Sequence, residues 1–253
     1  MKAKMPSSSD FNYYKPTKPD TPNLVFIHGA GGDKTQWEKQ RIFFQQYGWG
    51  VISLSLPSHG QSPHAVSLSL DNYVETVYEI LINQNLENVV LIGHSMGGAI
   101  ALQFTLKYPG SIIDKLILIG TGAKLKVAPT FFDAIETDFD RFLELLGRFA
   151  FHEKTIAQIK LENEKALRRN GGAIILQDFK ICDSFDIRLD LHKITKQTLI
   201  IVGQDDQMTP VKYSTFLHEN IKNSQLSIIP EAGHYVFQEK PLVVNTEIHK
   251  FLS

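Results

Sequence analysis

Four short, continuous apolar runs that each end at a glycine constrain the fold of this chain more than any other feature. They cover residues 24–29, 89–93, 116–120 and 199–203. Apolar runs that are continuous rather than alternating are typical of strands whose two faces are both covered by helices, as in a parallel sheet. Two further runs, at 51–56 and 226–229, alternate more but fit the same series.

Helical patterns separate these runs along the chain. They cover residues 34–47, 70–84, 97–108 and 210–221, and a last one starts at Pro241, a residue that suits the first turn of a helix. Strands that alternate with helices predict an α/β fold with a doubly wound, mostly parallel sheet. In such sheets the reactive groups collect at the carboxyl ends of the strands.

One long segment interrupts this alternation, because it carries helical patterns and no strand pattern. Its first part has a stripe of apolar residues at helical spacing: Phe132, Ile135, Phe139, Phe142, Leu146 and Phe149. A strongly charged stretch follows, with a thin apolar face at Ile156, Ile159 and Leu167, and a third helical pattern begins after residue 171. The segment therefore predicts several helices in succession.

We accordingly divide the chain into a core and a cap. Residues 1–127 and 197–253 form the α/β core, and residues 128–196 form a helical cap inserted over the carboxyl ends of the strands. The alternative is that these helices simply extend the core.

Composition limits the partners that this chain can bind. The 26 Lys and Arg residues nearly balance the 27 Asp and Glu residues, so nothing attracts nucleic acid or an anionic membrane surface. The N-terminal stretch 1–10 is polar, and no apolar run approaches the length needed to span a bilayer. Cys182 is the single cysteine, so no intramolecular disulfide forms. We expect a soluble, cytoplasmic protein, with its oligomeric state open.

A serine stands among glycines directly after the strand run at 89–93. Residues 93–97 read Gly93-His94-Ser95-Met96-Gly97, which fits the Gly-x-Ser-x-Gly turn that projects a nucleophilic serine between a strand and a helix. Side chains at the glycine positions would clash as the turn tightens. The alternative is an ordinary strand-to-helix turn in which Ser95 caps the helix.

A serine hydroxyl needs a base to remove its proton, and histidine is the usual choice. Among nine histidines, His234 follows the last strand run directly, on a loop that can reach over the sheet edge. Four others precede or adjoin the serine along the chain (His28, His59, His64 and His94), and four lie on predicted helices (His152, His192, His218 and His249).

An acidic residue usually orients the histidine. The loop after the strand run at 199–203 offers Asp205 and Asp206, followed by Pro210. Each of the two is equally compatible with an ordinary turn residue or a helix cap. The residues themselves leave both candidates open.

Five local matches together resemble the α/β-hydrolase superfamily over nearly the whole chain, above all its capped bacterial carboxylesterases. They lie at residues 26–32, 56–62, 93–98, 206–210 and 233–234, and the serine, aspartate and histidine occur in the order typical of that family. By this resemblance the acid lies four residues before Pro210, which favours Asp206 over Asp205.

The resemblance implies a serine hydrolase acting on small-molecule carboxylic esters of small to medium acyl groups. Ser95 would attack the ester carbonyl, His234 would transfer the proton, and Asp206 would orient the imidazole. Backbone N–H groups of Ala30 and Met96 would stabilise the charge on the carbonyl oxygen. The resemblance implies neither a cofactor nor a metal.

Two other classes of function remain as alternatives. The same triad could cleave C–C bonds, lactones or thioesters, and a chain with this fold could also bind a ligand without turnover. A dinucleotide site is not supported at residues 29–33, because Lys34 stands where the third glycine of that fingerprint belongs. The chain also lacks a Gly-Lys-Ser/Thr phosphate loop and a His-Glu-x-x-His zinc motif.

Overall fold

The computed structural model describes residues 9–18, 20–110 and 112–253, so most of the polar N-terminal stretch, residues 1–8, lies outside it. Seven strands form one sheet: β1 (Phe11–Tyr14), β2 (Asn23–Ile27), β3 (Gly50–Leu54), β4 (Val89–His94), β5 (Ile113–Ile119), β6 (Gln197–Gly203) and β7 (Ser224–Ile229). Each of the six apolar runs identified in the sequence overlaps one of the strands β2–β7.

The strands lie in the order β1-β3-β2-β4-β5-β6-β7, and every neighbouring pair except β1 with β3 is parallel. The predicted mostly parallel sheet is therefore confirmed. Because β3 lies on one side of β2 and β4 on the other, the winding of the chain reverses at β2. The carboxyl ends of β2 and β4 border the crevice where open α/β sheets bind their ligands.

Strand β1 has no counterpart among the sequence predictions. Its four residues alternate between half-buried and exposed, and they pair antiparallel with β3 at the edge of the sheet. A short edge strand with one covered face lacks the continuous apolar run that reveals a buried strand.

Helices cover the two faces of the sheet or fill the segment between β5 and β6. The α-helices of the described residues are α1 (Glu38–Gln46), α2 (Leu70–Asn83), α3 (Met96–Lys107), α4 (Pro129–Thr137), α5 (Phe139–Phe149), α6 (Ala157–Asn170), α7 (Gly172–Ser184), α8 (Val211–Asn220), α9 (Val236–Glu239) and α10 (Pro241–Leu252). Short 3-10 helices lie at Lys34–Trp37 and Leu191–Lys193. No helix among the described residues is long and apolar enough to cross a membrane.

Strand β2 shows why the apolar runs are continuous. Its residues Val25 and Ile27 pack into the hydrophobic cluster on one face of the sheet, while Leu24 and Phe26 pack into the cluster on the other face. All four side chains are fully buried. Burial of each such side chain contributes about 1.5–3 kcal/mol, so both layers stabilise the same strand.

The segment 128–196, called the helical segment below, consists of α4–α7, a 3-10 turn and connections. Its first apolar stripe spans two helices rather than one, because the backbone at Asp138 is extended (φ −155°, ψ 90°). The Asp138 side chain accepts a hydrogen bond from the N–H of Arg141 and so caps α5. Aspartate competes with the helix for backbone donors, which explains the break.

Two local predictions in the helical segment are wrong. Ile156 is 62% exposed, whereas Ile159 and Leu167 are buried on α6. Ile156 precedes the first turn of α6, so the helical period does not orient its side chain. His152 likewise precedes α6 instead of lying on a helix.

Candidate active site

The turn between β4 and α3 holds Ser95 in a strained conformation. The φ of Ser95 is 53° and its ψ is −115°, a region that residues with a side chain rarely adopt. A Cβ on Gly93 would lie 2.1 Å from the carbonyl oxygen of Gly97, and a Cβ on Gly97 would lie 2.3 Å from that of Ile27. Both glycines are therefore needed for the strand and helix to approach this closely.

The Ser95 hydroxyl is not used to cap α3. Ser95 occupies the N-cap position, yet its side chain makes no capping hydrogen bond. Its backbone N–H donates to the carbonyl oxygen of Ile119 at 3.0 Å, and its carbonyl oxygen accepts from the Thr121 hydroxyl at 2.8 Å. These bonds fix the backbone of the turn. The structure thus offers no support for the helix-cap alternative.

His234, in the loop after β7, and Asp206, in the loop after β6, form a buried pair. His234 Nδ1 lies 2.9 Å from Asp206 Oδ2, and the two residues are only 5% and 4% exposed. The N–H groups of Met208 and Thr209 donate to Asp206 Oδ1, and the Thr209 hydroxyl donates to Oδ2. The carboxylate is fixed by these donors, so it holds the imidazole with Nε2 free to accept a proton.

Asp205, the neighbouring candidate, lies elsewhere. It is exposed, and its nearest basic partner is His152 Nε2 at 3.7 Å. Its N–H donates to the carbonyl oxygen of Ala232 at 2.9 Å, and among the described residues its side chain makes no contact with His234. The structure therefore brings Asp206, and not Asp205, to the histidine.

Ser95 and His234 line the same cavity, which has a volume of about 140 Å³. Ala30, in the loop after β2, also lines it. Within the described part of the chain, neither the Ala30 N–H nor the Met96 N–H donates to a protein acceptor. Two unused backbone donors thus belong to the two loops that meet at Ser95.

The helical segment supplies much of the remaining cavity wall. Its contributions include Ala128, Phe131, Leu146, Phe179 and Cys182. The cavity therefore lies between the carboxyl ends of the strands and these helices.

His94, next to the serine, does not face it as a base. Its Nε2–H donates to the carbonyl oxygen of His234 at 3.0 Å, and its ring packs against the ring of His234 with centroids 4.6 Å apart. Burial, reinforced by the neighbouring charge of His234, holds the pKa of His94 well below its usual range. His94 is therefore neutral and supports the loop that carries His234.

His28, before the glycine-rich loop, is equally buried. Its Nε2 accepts the N–H of Leu56 at 3.0 Å, and its Nδ1–H donates to the carbonyl oxygen of Gly29 at 2.8 Å. Burial and the neighbouring His59 lower the pKa of His28 to about 4. A neutral ring with this tautomer links the loops after β2 and β3.

Sequence reasoning missed a second buried polar cluster beside the cavity. Asp178 on α7 is fully buried and bonds to Gly31, His59 and Tyr73. The sequence signal that could have revealed this cluster is the helical spacing of α7, which places Asp178 on the same apolar face as Ile175 and other buried residues. A carboxylate within a buried stripe requires several donors.

A model of the alpha/beta hydrolase family matches residues 24–247. The chain belongs to the alpha/beta hydrolase family. Among similar sequences, the AB hydrolase superfamily protein YisY of Bacillus subtilis is 27% identical over 90% of both chains. The 2-succinyl-6-hydroxy-2,4-cyclohexadiene-1-carboxylate synthase of an Enterobacter species is 28% identical, also over 90% of both.

Solved structures of esterases are similar to this alpha/beta hydrolase. A thermophilic esterase is 31% identical, with a TM-score of 0.83 over 97% of this chain and 98% of its own. An esterase from Exiguobacterium antarcticum reaches a TM-score of 0.89 at 22% identity, over 96% and 94% of the two chains, which shows a shared fold. Among the described residues, no group of three or more His, Cys, Asp or Glu side chains is positioned to hold a metal ion.

Proposed function

We propose that this alpha/beta hydrolase cleaves carboxylic esters of small to medium acyl groups, with Ser95, His234 and Asp206 as catalytic residues. The observation that carries the proposal is the buried 2.9 Å contact between His234 Nδ1 and Asp206 Oδ2, together with the cavity that both His234 and Ser95 line. The similarity to esterases is consistent with it.

In the first half of the reaction, Ser95 Oγ attacks the ester carbonyl carbon while His234 Nε2 accepts the hydroxyl proton. The Nδ1–H of the imidazolium that forms donates to Asp206, which stabilises the positive charge without taking the proton. The carbonyl π electrons move to the oxygen, which becomes an oxyanion. The C–O bond to the alcohol then breaks, and His234 donates its proton to the leaving oxygen.

The N–H groups of Ala30 and Met96 are the proposed donors to this oxyanion. Both lack a protein acceptor among the described residues, and Met96 directly follows the nucleophile. Donors fixed in advance stabilise the transition state more than the ground state, and loss of one costs about 3 kcal/mol. In the second half, His234 activates a water that releases the acid and restores Ser95.

The cavity lining favours an uncharged acyl or alcohol group. Most of the nearby side chains are apolar, and they include Leu125, Val127, Phe131, Leu146, Phe179 and Met208. Among the described residues that line the cavity, Lys126 is the only lysine or arginine, and it pairs with Asp183 at 2.7 Å. The Lys126 side chain is largely exposed and a carboxylate-bearing substrate would have to compete with Asp183 for it, so we assign a neutral ester. The helical segment acts as the cap that encloses it.

The test is a panel of nitrophenyl esters graded from acetyl to octanoyl, with one thioester and one lactone. We expect the wild type to hydrolyse the shorter esters and Ser95→Ala to lower kcat by about 10⁴-fold or more. Ser227→Ala, on β7 outside the cavity, is the matched serine control and should retain wild-type rates.

Equal rates for wild type and Ser95→Ala would reject the proposal. A faster rate on the lactone or thioester than on every ester would instead assign one of the related reactions on the same triad. No turnover of any substrate by the folded wild type would favour the ligand-binding alternative.

A further inference from the structure

A buried carboxylate from the helical segment reaches the loop that follows β2. Asp178 Oδ2 accepts the Gly31 N–H at 2.8 Å and the His59 Nε2–H at 2.8 Å, while Oδ1 accepts the Tyr73 hydroxyl at 2.7 Å. The Asp178 and His59 side chains have no exposed surface. One side chain of α7 therefore joins α2 and the loops after β2 and β3.

His59 compensates the buried charge of Asp178. Its second ring nitrogen, Nδ1, lies 3.0 Å from the carbonyl oxygen of Pro57, so both nitrogens face acceptors and the cationic ring satisfies both. Burial acts to lower the pKa of His59, but Asp178, the carbonyl oxygen of Pro57 and Asp33 together outweigh this effect and raise it. A carboxylate that is paired and hydrogen-bonded in this way is a rigid anchor.

The loop held by this anchor is also held on its other side. Asn170, at the end of α6, donates through Nδ2 to the carbonyl oxygens of Gly31 and Gly32, each at 2.8 Å. Gly31 has a φ of +66°, and a Cβ there would lie 2.7 Å from Leu167 and 2.8 Å from Ile175. The backbone at Gly31 is thus clamped against α6 and α7.

The clamp adjoins a proposed oxyanion donor. The Gly31 nitrogen belongs to the peptide unit that directly follows the Cα of Ala30, and the N–H of Ala30 itself has no acceptor in the part of the chain that the structure describes. Rotation about the φ and ψ bonds of Ala30 would change the direction of the Ala30 N–H relative to the Gly31 N–H. Fixing the Gly31 N–H on Asp178 therefore restricts the direction of the Ala30 N–H.

We propose that Asp178 is a positioning residue for the oxyanion donor: its carboxylate binds the Gly31 N–H and thereby directs the Ala30 N–H towards the substrate's carbonyl oxygen. This inference rests on the proposed esterase function. It gives the helical segment a part in transition-state stabilisation as well as in enclosing the substrate.

The test variant is Asp178→Asn, which keeps the shape of the side chain but removes its charge and one acceptor oxygen. We expect kcat to fall about 10-fold or more, towards the 10²–10³-fold effect of losing one donor, with KM changed less than about twofold. Asn163→Ala is the matched control. Asn163 is a buried polar residue of α6 that bonds to Gln36 and Gln238, so its loss should lower stability and leave kcat unchanged.

Two inhibitors separate positioning from general loosening. An aliphatic trifluoromethyl ketone forms a tetrahedral adduct with the serine and needs the oxyanion donors, whereas the corresponding ether has no carbonyl oxygen. For Asp178→Asn, the inhibition constant of the ketone should rise by the same factor by which kcat falls, and that of the ether should not change. Circular dichroism and thermal unfolding verify that the variant is folded.

If Asp178→Asn does not fold, Tyr73→Phe removes one donor from the same carboxylate while keeping the ring. It should weaken ketone binding and kcat together by a smaller factor, again without affecting the ether. Wild-type kcat and ketone binding in a folded Asp178→Asn or Tyr73→Phe protein would overturn the inference. The same kcat loss in Asn163→Ala would also overturn it, because any loosening of the helical segment would then suffice.

The two proposals fail in different ways. An inactive wild type, or a fully active Ser95→Ala, overturns the esterase function and the positioning role with it. An active wild type with an inactive Ser95→Ala and an unaffected Asp178→Asn overturns only the positioning role.

Discussion

Replacing Gly97 by alanine tests the physical basis of the Ser95 turn. The new Cβ would lie 2.3 Å from the carbonyl oxygen of Ile27 and 2.7 Å from that of His28. Both distances are below 3.0 Å, a separation that Cβ contacts in proteins essentially never show, and both contacted atoms belong to the backbone. No rotamer change relieves the contact, so β2 or the start of α3 must move by about 0.7 Å.

Two effects of opposite sign compete in this variant. Alanine is favoured over glycine inside a helix by up to about 1 kcal/mol, whereas overpacking costs about 1–3 kcal/mol or more. Because the clash is with central backbone, we expect a net loss of about 2 kcal/mol, or a Tm lower by about 4–8 °C in a chain of this size. Displacement of Ser95, the proposed nucleophile, should lower kcat by up to about 100-fold.

Urea unfolding and steady-state ester hydrolysis measure the two effects. The matched control is Gly147→Ala on α5, where an added Cβ meets no atom within 4 Å. Helix propensity alone then acts, and we expect a gain in stability of up to about 1 kcal/mol with unchanged kcat. A Gly97→Ala protein as stable and active as wild type, or equal shifts in both variants, would refute the steric argument.

Three further outcomes follow from the buried groups. In steady-state kinetics, Asp206→Asn should lower kcat by about 10⁴-fold and Asp205→Asn by less than about twofold. The reverse ranking would contradict the 2.9 Å pairing of Asp206 with His234. Burial raises the pKa of the Cys182 thiol, so Cys182 in the native protein at pH 8 should resist iodoacetamide and react only after unfolding. Full labelling of the native protein in mass spectrometry would contradict this. Burial and a neighbouring histidine lower the pKa of His28 to about 4, against about 6.5 unfolded, so the unfolded chain binds more protons between these values. The free energy of unfolding, measured by urea titration, should therefore decrease as pH falls from about 6.5 to 4. The decrease should be shallower in His28→Asn, and equal slopes in the two proteins would contradict this assignment.

The parallel sheet could be predicted from the sequence because its cause is local. A strand covered on both faces needs apolar residues at every position, as in Leu24–Ile27, and that pattern is readable without knowing its neighbours. The turn around Ser95 is equally local, because the steric demands on Gly93 and Gly97 arise within five residues and the strand beside them.

Elements with weaker local signals could not be predicted. Strand β1 is half-exposed at an edge, and Asp138 interrupts an apolar stripe that continues with the correct period on both sides. In both places the periodicity records which side chains are apolar, while capping and edge pairing decide where an element begins and ends.

The sequence by itself determined strands β2–β7, the main helices around them and the strained serine turn, since each follows from sterics and burial over a few adjacent residues. The residues by themselves left both Asp205 and Asp206 open, and before the structure only the family resemblance favoured Asp206. The tertiary structure decided that Asp206 lies beside His234, whereas Asp205 is exposed near His152. It also decided that Asp178 bonds to Gly31, 147 residues away along the chain. Contacts over such separations depend on the path of the whole backbone, and no local pattern of residues encodes that path.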